Sequence, residues 1–367
     1  MKIAITCPRA PVSIEWIKIA KKSNYEIVLL DSLDYPIGIF YDKSILYIKV
    51  TSPKLDFQTY KKDMEKALFD VDIVIPNCED IFFLSKIRDK IDSKAMFFMP
   101  NNDLLFELHN KFNFQKYLNS YVKFPKTIFI ANKNEIKEDL NTILKPVFSR
   151  FGRSVIKGVT KEKIKDIYIN KDFAWVQQEY IKGFALCNYA ICQNKKVISH
   201  IVYKPKYLLN DAASTYFEYY EDERVNNFIK EFAKHTNYTG QVAFDFIDNG
   251  RDIYILECNP RATSGLHLIS KNIEIDIRKN FMQVGKIDKS SYRVGISLFL
   301  LFGLKALIKG EFKKLLKDYK KANDVLEGLP FYAQFISFYE MIKRKFIYKK
   351  SLTNASTFDI EYDGEEK

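Results

Sequence analysis

The chain is poor in the residues that staple small proteins together or drive nucleophilic catalysis. Five cysteines stand in 367 residues, at Cys7, Cys78, Cys187, Cys192 and Cys258, and no two are spaced as CxxC. An odd count without paired spacing argues against a disulfide framework and gives buried free thiols in a reducing compartment. The first strand-to-helix turn reads Cys7-Pro8-Arg9-Ala10 and contains no G-x-G-x-x-G, which excludes a dinucleotide fingerprint there. No Ser/His/Asp or Cys/His arrangement requires a protein nucleophile. Long apolar runs are also missing. The most apolar window, Val294 to Leu304, is 11 residues, short of the roughly 20 that span a bilayer. Met1 to Thr6 reads as a strand and not as the start of a secretory leader. No internal repeat or low-complexity tract interrupts the chain. These absences lead us to expect a cytoplasmic protein.

What is present is the composition of a soluble globular protein, 47% hydrophobic and 28% charged, long enough for two or three packed units. The net charge of +12 comes mostly from lysines spread along the chain. That spread points to a solvated surface, so nucleic acid is not expected as a partner.

Residues 1–102 alternate strand and helix. Strand patterns cover Lys2–Thr6, Glu26–Leu30, Ile45–Val50, Val71–Pro76 and Ala95–Met99, with helical patterns at about 13–22, 57–69 and 80–91. Such alternation gives a parallel α/β sheet, whose ligands bind past the carboxyl ends of the strands. Arg9 and Glu79 fall at those ends, as substrate contacts or as turn and capping residues. A helix is expected over 103–120. Shorter strands follow at Thr127–Ala131, Thr142–Phe148, Ser154–Val159, Ala174–Ile181, Ala185–Gln193 and Lys196–Tyr203, then a helix at about 221–236. Residues 277–367 are rich in helix, lysine and aromatics.

The chemistry is concentrated in Asp245 to His267. Asp245 is followed by the turn Asp248-Asn249-Gly250, then Glu257, Asn259 and Arg261. Two carboxylates and an amide oxygen are hard ligands suited to Mg²⁺, and an arginine suits a carboxylate or phosphate. A two-residue hairpin loop would place Glu257 on the other side of the sheet from Asp245. A three-residue loop with a G1 bulge at Gly250 would put 253, 255, 257 and 259 on the face of Asp245, and a shared metal requires that outcome. The spacing therefore predicts the three-residue loop. Thr263-Ser264-Gly265 would open a helix, either capped by a hydroxyl or facing an anion.

Other pieces suit a nucleotide. Lys145 ends a strand before Pro146 and can hold a phosphate as a point charge. The loop from Ser149 to Ser154 contains Arg150, Gly152 and Arg153 and could fold over phosphates. Lys204 and Lys206, following His200, share one face of an extended segment and could contact an anion.

In this order the residues resemble the ATP-grasp superfamily and, within it, its carbamoyl-phosphate-synthetase-like branch, over about residues 1–275. The resemblance implies an α/β protein (α+β overall). It divides into an N-terminal Rossmann-like pre-ATP-grasp domain (1–102), a two-lobed ATP-grasp domain (103–276, with a flexible small lobe at about 121–184) and a helical C-terminal extension (277–367). It also implies that Lys111 and Lys145 contact ATP phosphates with help from Arg153 and Ser154. The hinge Gln178, Glu179, Tyr180 and Ile181 would meet adenine, Asp245, Glu257 and Asn259 would hold Mg²⁺ (or Mn²⁺), and Arg261 would steady an acyl-phosphate, with Lys204 and Lys206 as further catalytic contacts. The reaction implied is activation of a small-molecule carboxylate by ATP for attack by an amine or thiol. The alternatives are an acyl- or carbamoyl-phosphate-forming half-reaction and a non-catalytic nucleotide-binding scaffold.

The sequence departs from the family pattern after Gly183, where Phe184 to Asn188 contain no carboxylate for the ribose hydroxyls. Asn188 is the candidate replacement. For Val294–Lys321 a helix packed on the body is the first reading, ahead of an interfacial membrane or partner helix. A homodimer is compatible with the sequence. The acidic tail from Asp359 to Glu366 is expected to be mobile.

Overall fold

The computed structural model describes residues 1–149, 154–209, 213–276 and 280–364. The first unit is a parallel sheet of β1 (Lys2–Thr6), β2 (Glu26–Asp31), β3 (Leu46–Lys49), β4 (Ile73–Ile75) and β5 (Met96–Phe97), in the order β3-β2-β1-β4-β5. Its crossovers include α1 (Val12–Lys22), α2 (Phe57–Ala67) and α3 (Asp80–Ile87). Both faces are covered, which is why the strands are apolar runs: Ile3 and Ile5 enter one core and Ala4 the other. Strand order reverses between β1 and β4, so a crevice opens past their carboxyl ends. The chain turns there at Cys7 and Cys78, both in the left-handed region at φ 50° and 52°.

The helix expected over 103–120 is broken. α4 (Asn102–His109) stops where the Asn110 side chain accepts from the N–H groups of Phe112 and Asn113, starting a separate 3₁₀ turn at Asn113–Tyr117. The break frees the Lys111 backbone to donate to the Val147 carbonyl at 3.3 Å. A small antiparallel sheet follows, made of β6 (Thr127–Ile130), β7 (Asp139–Pro146), β8 (Ile156–Val159) and β9 (Trp175–Glu179), ordered β6-β9-β7-β8.

The large sheet contains β10 (Phe184–Gln193), β11 (Lys196–Leu209), β12 (Ala213–Tyr220), β13 (Gly240–Asp248) and β14 (Ile253–Asn259). Helix α5 (Glu223–Thr236) begins at Asp222, whose side chain accepts from the N–H groups of Arg224 and Val225, and packs Val225, Phe228, Ile229 and Phe232 on one face of the sheet. Strand β12 was not anticipated from the sequence. After α6 (Leu266–Ile269), β15 (Ile273–Asp276) and β16 (Asn280–Gln283) form a hairpin. The remaining elements are β17 (Ser291–Arg293), α7 (Ser297–Ile308), α8 (Phe312–Lys321), β18 (Asn323–Asp324), α9 (Phe331–Tyr348) and α10 (Leu352–Ala355). β17 and β18 extend the large sheet to the order β14-β13-β10-β11-β12-β17-β18.

Up to Gly364 the C-terminal residues overturn the expectation of a mobile tail, and Glu365 and Glu366 lie outside the described residues. Asp359 is fully buried in the crevice beside β1 and β2, where Arg9 binds it at 2.7 Å and Arg344 and Ser32 also contact it. Its carboxyl group is held well below the usual range: burial opposes ionisation, but the two guanidinium groups outweigh it. The Tyr362 N–H donates to Glu79 at 3.1 Å, and its ring lies 5.3 Å from that of Phe82. Arg9 also binds both oxygens of Asp31. Arg9 and Glu79 therefore serve to anchor the tail.

The first unit joins the large sheet through a buried amide. Gln241 on β13 accepts from the Trp16 indole N–H at 2.9 Å and the Tyr189 hydroxyl at 2.7 Å, and donates to the Pro76 carbonyl at 2.9 Å. Replacing it by leucine orphans all three partners at once. Gln241→Leu is expected to lower the unfolding free energy by about 3 kcal/mol, measured by urea denaturation. An unchanged midpoint would show that the junction does not carry this weight.

Candidate active site

The acidic pair is brought together by a bulge, though not the predicted one. The loop between β13 and β14 has four residues, since Asp248 pairs with Ile253 and the Asn249 N–H bonds the Asp252 carbonyl at 3.2 Å. The register then slips by one: Phe246 pairs with Ile255, and Asp245 with Glu257. Leu256 is the extra residue. Ile253 and Ile255 stay in the core under α5, while Glu257 and Asn259 come round to the face of Asp245. The expected three-residue loop with a bulge at Gly250 is thus corrected, and with it the placing of 253 and 255 on the Asp245 face. The face-sharing of Asp245, Glu257 and Asn259 that the loop was invoked to explain is present. One signal for the true bulge lay in the sequence. Ile253, Ile255 and Glu257 have the same parity, and an unbulged strand would hold all three on one face.

The bulge also supplies an acceptor. Lys145, at the end of β7, donates to the Leu256 carbonyl at 3.2 Å. Lys111 lies 3.3 Å from the Glu257 carboxylate and donates to the Ser149 carbonyl at 2.6 Å. Both lysines are 5% exposed, so their charges act in a poorly screened setting. Burial lowers the Lys145 pKa to about 8, with Glu257 opposing and Lys111 adding to the shift. Glu257 is held down at about 2: burial works against ionisation, and Lys111 and Lys145 overcome it. Asp245 is pushed up to about 7 by burial and then by the charge of Glu257. Two facing carboxylates, one of them resisting ionisation, are the donor set a divalent cation would relieve. Asn259 lies beside them, its amide N–H donating to Asp245 at 3.2 Å and its oxygen accepting from the Arg261 guanidinium at 3.0 Å. The Nε of Arg261 is buried without a hydrogen-bond partner among the described residues. A buried unpaired guanidinium N–H is a costly feature unless an anion satisfies it.

The hinge residues sit where the two antiparallel sheets meet. Gln178 is fully buried, its amide donating to Thr127 at 2.9 Å. The N–H groups of Glu179 and Tyr180 are taken by the Lys126 and Asn141 carbonyls, both at 2.8 Å. Gly183 passes close under Asp248, whose carbonyl oxygen would stand 2.2 Å from any Cβ placed there, so only glycine allows this approach. Ser154 is exposed with φ 60°, and Arg153 lies outside the described residues.

Four other expected contacts do not reach the site. Asn188 is fully buried under α5, its oxygen accepting from the Phe244 N–H at 2.7 Å and its nitrogen 3.0 Å from His200. It has no free group for a ribose. His200, Lys204 and Lys206 alternate with Ile201 and Tyr203 along β11, so they point to the face opposite Asp245. Lys204 lies over the rings of Tyr220 and Phe184 at 3.7 and 4.4 Å, and Lys206 pairs with Asp318 of α8 at 2.7 Å. The two lysines do share a face, as expected, but it is the wrong one for the catalytic contacts assigned to them. The Thr263–Gly265 turn opens only a one-turn helix, and the Leu266 and His267 N–H groups are already bonded to Thr263 and Ser264. His267 instead contacts Glu15 at 2.9 Å. Cys187 and Tyr203, which sequence reasoning left out, flank Asp245 on the site face.

Residues 108–265 match the ATP-grasp domain family. That stretch of the chain is an ATP-grasp domain. Solved ATP-grasp proteins share its architecture at low identity. The N5-carboxyaminoimidazole synthetase of Staphylococcus aureus complexed with ADP has 12% identity and a TM-score of 0.62, over 83% of this chain and 86% of that one. The L-amino acid ligase of Bacillus licheniformis has 13% identity and a TM-score of 0.56, over 74% and 70%. The phosphoribosylglycinamide synthetase of Anaerococcus prevotii has 15% identity and a TM-score of 0.52, over 71% and 68%. At these identities the likeness is one of fold. No curated protein matches the sequence.

The partly buried His200 gives a pH dependence of stability. Burial lowers its pKa from 6.5 to about 3, so the folded protein keeps it neutral where the unfolded chain binds a proton. Its contribution is complete above 6.5 and is lost as the pH falls. The loss reaches at most about 2 kcal/mol between pH 6.5 and about pH 5. Urea titrations across that range should show His200→Gln losing less stability than wild type. Parallel losses would mean that His200 is protonated in the folded state.

Proposed function

We propose that the protein is an ATP- and Mg²⁺-dependent ligase that activates a small-molecule carboxylate as an acyl-phosphate for attack by an amine (or thiol), releasing ADP and phosphate. The observation that carries this reading is the convergence of Asp245, Glu257, Asn259 and Arg261 on one face of the hairpin, with Lys111 and Lys145 reaching it from two other elements. The fold shared with an ADP-bound synthetase and an amino acid ligase supports it.

In this reading Asp245, Glu257 and Asn259 would hold the cation, which would supply positive charge to offset that of the phosphates. Lys111 and Lys145 bind phosphate oxygens. Each is already held by a carbonyl, Ser149 for the first and Leu256 for the second, so neither must be ordered on binding. Ile181, the first hinge residue beyond the two whose N–H groups are taken, supplies backbone groups to adenine. Gln178 supports the hinge from the core, and Glu179 and Tyr180 position it through their backbone bonds. Ser154 would contact the phosphates together with Arg153, which lies outside the described residues. Arg261 directs its unpaired Nε to the acyl-phosphate oxygens. No side chain need act as nucleophile, because the incoming amine or thiol attacks the activated carbonyl. The work of the chain is positioning and charge neutralisation.

The test is a screen for ADP release over pairs of carboxylic and amino acids, with mass spectrometry of the products. A pair that releases ADP and yields the condensed product is expected. Glu257→Gln should then reduce turnover at least about a hundredfold with thermal unfolding unchanged. Unreduced turnover in that variant refutes the metal assignment. ATP binding without ADP release for every pair would instead support a non-catalytic scaffold.

A further inference from the structure

Helix α9 carries charged residues on its inner face and aromatic residues on its outer one. α9 turns Glu340 and Arg344 inward, at 4% and 6% exposure, where Arg344 meets Asp359. Its aromatic residues point out: Phe331, Phe335, Phe338, Tyr339 and Phe346 are exposed, the last at 72%. At 100° per residue these five fall within a stripe about 120° wide, the width of a face that is normally buried. Lys343 and Lys345 border the stripe on either side, and Lys349 and Lys350 follow at the helix end.

α7 also leaves a row of apolar residues exposed. Leu298, Gly303 and Ala306 are its buried residues, while Leu300, Leu304, Leu307 and Ile308 are exposed, Leu304 at 74% and Ile308 at 79%. Lys305 stands beside that row, Lys309 follows at the helix end, and α8 adds the exposed Lys313, Lys314 and Lys317. The helices are joined at their starts, where the Ile296 N–H donates to the Gln334 side chain at 3.3 Å. The helix expected over Val294–Lys321 is two, and each packs on the body by one face, α7 through Leu298, Gly303 and Ala306 and α8 through Leu315.

Soluble monomers rarely leave so many large apolar side chains in water on adjoining elements. Two kinds of occupant could cover them, a second copy of the chain or a lipid surface, and charge decides between them. Residues 297–350 contain twelve Lys and Arg against five Asp and Glu, a net +7 of the chain's +12. A second copy would set this charge against itself, whereas an anionic bilayer offers both the apolar layer and the counter-charge. No helix of the described residues is long and apolar enough to cross a membrane, so the helices would lie in the interface. We propose that the outer faces of α7 and α9, with the lysines around them, dock the protein on an anionic lipid membrane. This inference is independent of the ligase reading.

The test is sedimentation of the full-length protein with vesicles of phosphatidylcholine alone and of phosphatidylcholine mixed with phosphatidylglycerol. Binding is expected only to the mixed vesicles and should weaken as salt is raised. Leu304→Glu and Phe335→Glu should each bring it down to the level seen with neutral vesicles. Lys305→Gln or Lys345→Gln should weaken it about fivefold. A tryptophan at the exposed Phe346 position (Phe346→Trp) should shift its emission to the blue on the mixed vesicles and not on the neutral ones. No binding to the mixed vesicles, or equal binding to both kinds, overturns the proposal. So does a dimer in analytical ultracentrifugation that Leu304→Glu and Phe335→Glu abolish, since it assigns the surface to a second copy.

Discussion

One inserted residue in a β-strand determines what the centre of this molecule can do. With Leu256 bulged, β14 keeps Ile253 and Ile255 under α5 and still turns Glu257 and Asn259 to the side of Asp245. Without the bulge those two requirements conflict, because side chains alternate strictly along a paired strand. The same bulge gives the Leu256 carbonyl to Lys145. Core packing, the acidic pair and one of the two buried lysines thus depend on a single register shift. The electrostatics follow from it. Two half-buried carboxylates face each other, and the lysines stabilise the charge on Glu257 while Asp245 is left resisting ionisation.

The units around this hairpin are held by buried polar contacts between residues far apart in sequence. Gln241 ties β13 to α1 and to the end of β4, and Glu15 of α1 binds both His267 and Ser270. The C-terminal segment fills the crevice at the switch point of the parallel sheet, through Arg9 and Asp359. In open α/β sheets that crevice is the usual place for a ligand. Here the chain occupies part of it with its own residues, and the buried charges on Arg9, Asp31, Arg344 and Asp359 compensate one another. Removing one of them would leave an uncompensated charge in a dry setting.

The sequence was most legible where one element carries its own signal. The five parallel strands read as short apolar runs between helical patterns, and each lies within a residue or two of its predicted place. Asp245, Glu257, Asn259 and Arg261 stood out because they interrupt an apolar hairpin. What could not be read depended on partners distant in the chain. His200, Lys204 and Lys206 sit on the far side of the sheet because Tyr203 pairs with Cys187, which pairs with Asp245, a relation set by three strands. Asn188 looked free for a ribose until its neighbours on β13 and β11 were in place. The tail looked solvated because its partner Arg9 lies 350 residues away. The outward aromatics of α9 were hidden for a related reason. Periodicity shows that a helix has an apolar face but not which face the fold buries.

The account rests on Asp245 and Glu257 forming one cation site that serves a bound nucleotide. The most direct test is a crystal structure with ADP and Mn²⁺, using the anomalous signal of manganese. The account predicts a peak within coordination distance of both carboxylates, with the ADP phosphates directed at Lys111 and Lys145. ADP bound with manganese away from both carboxylates, or phosphates lying apart from the two lysines, would contradict it.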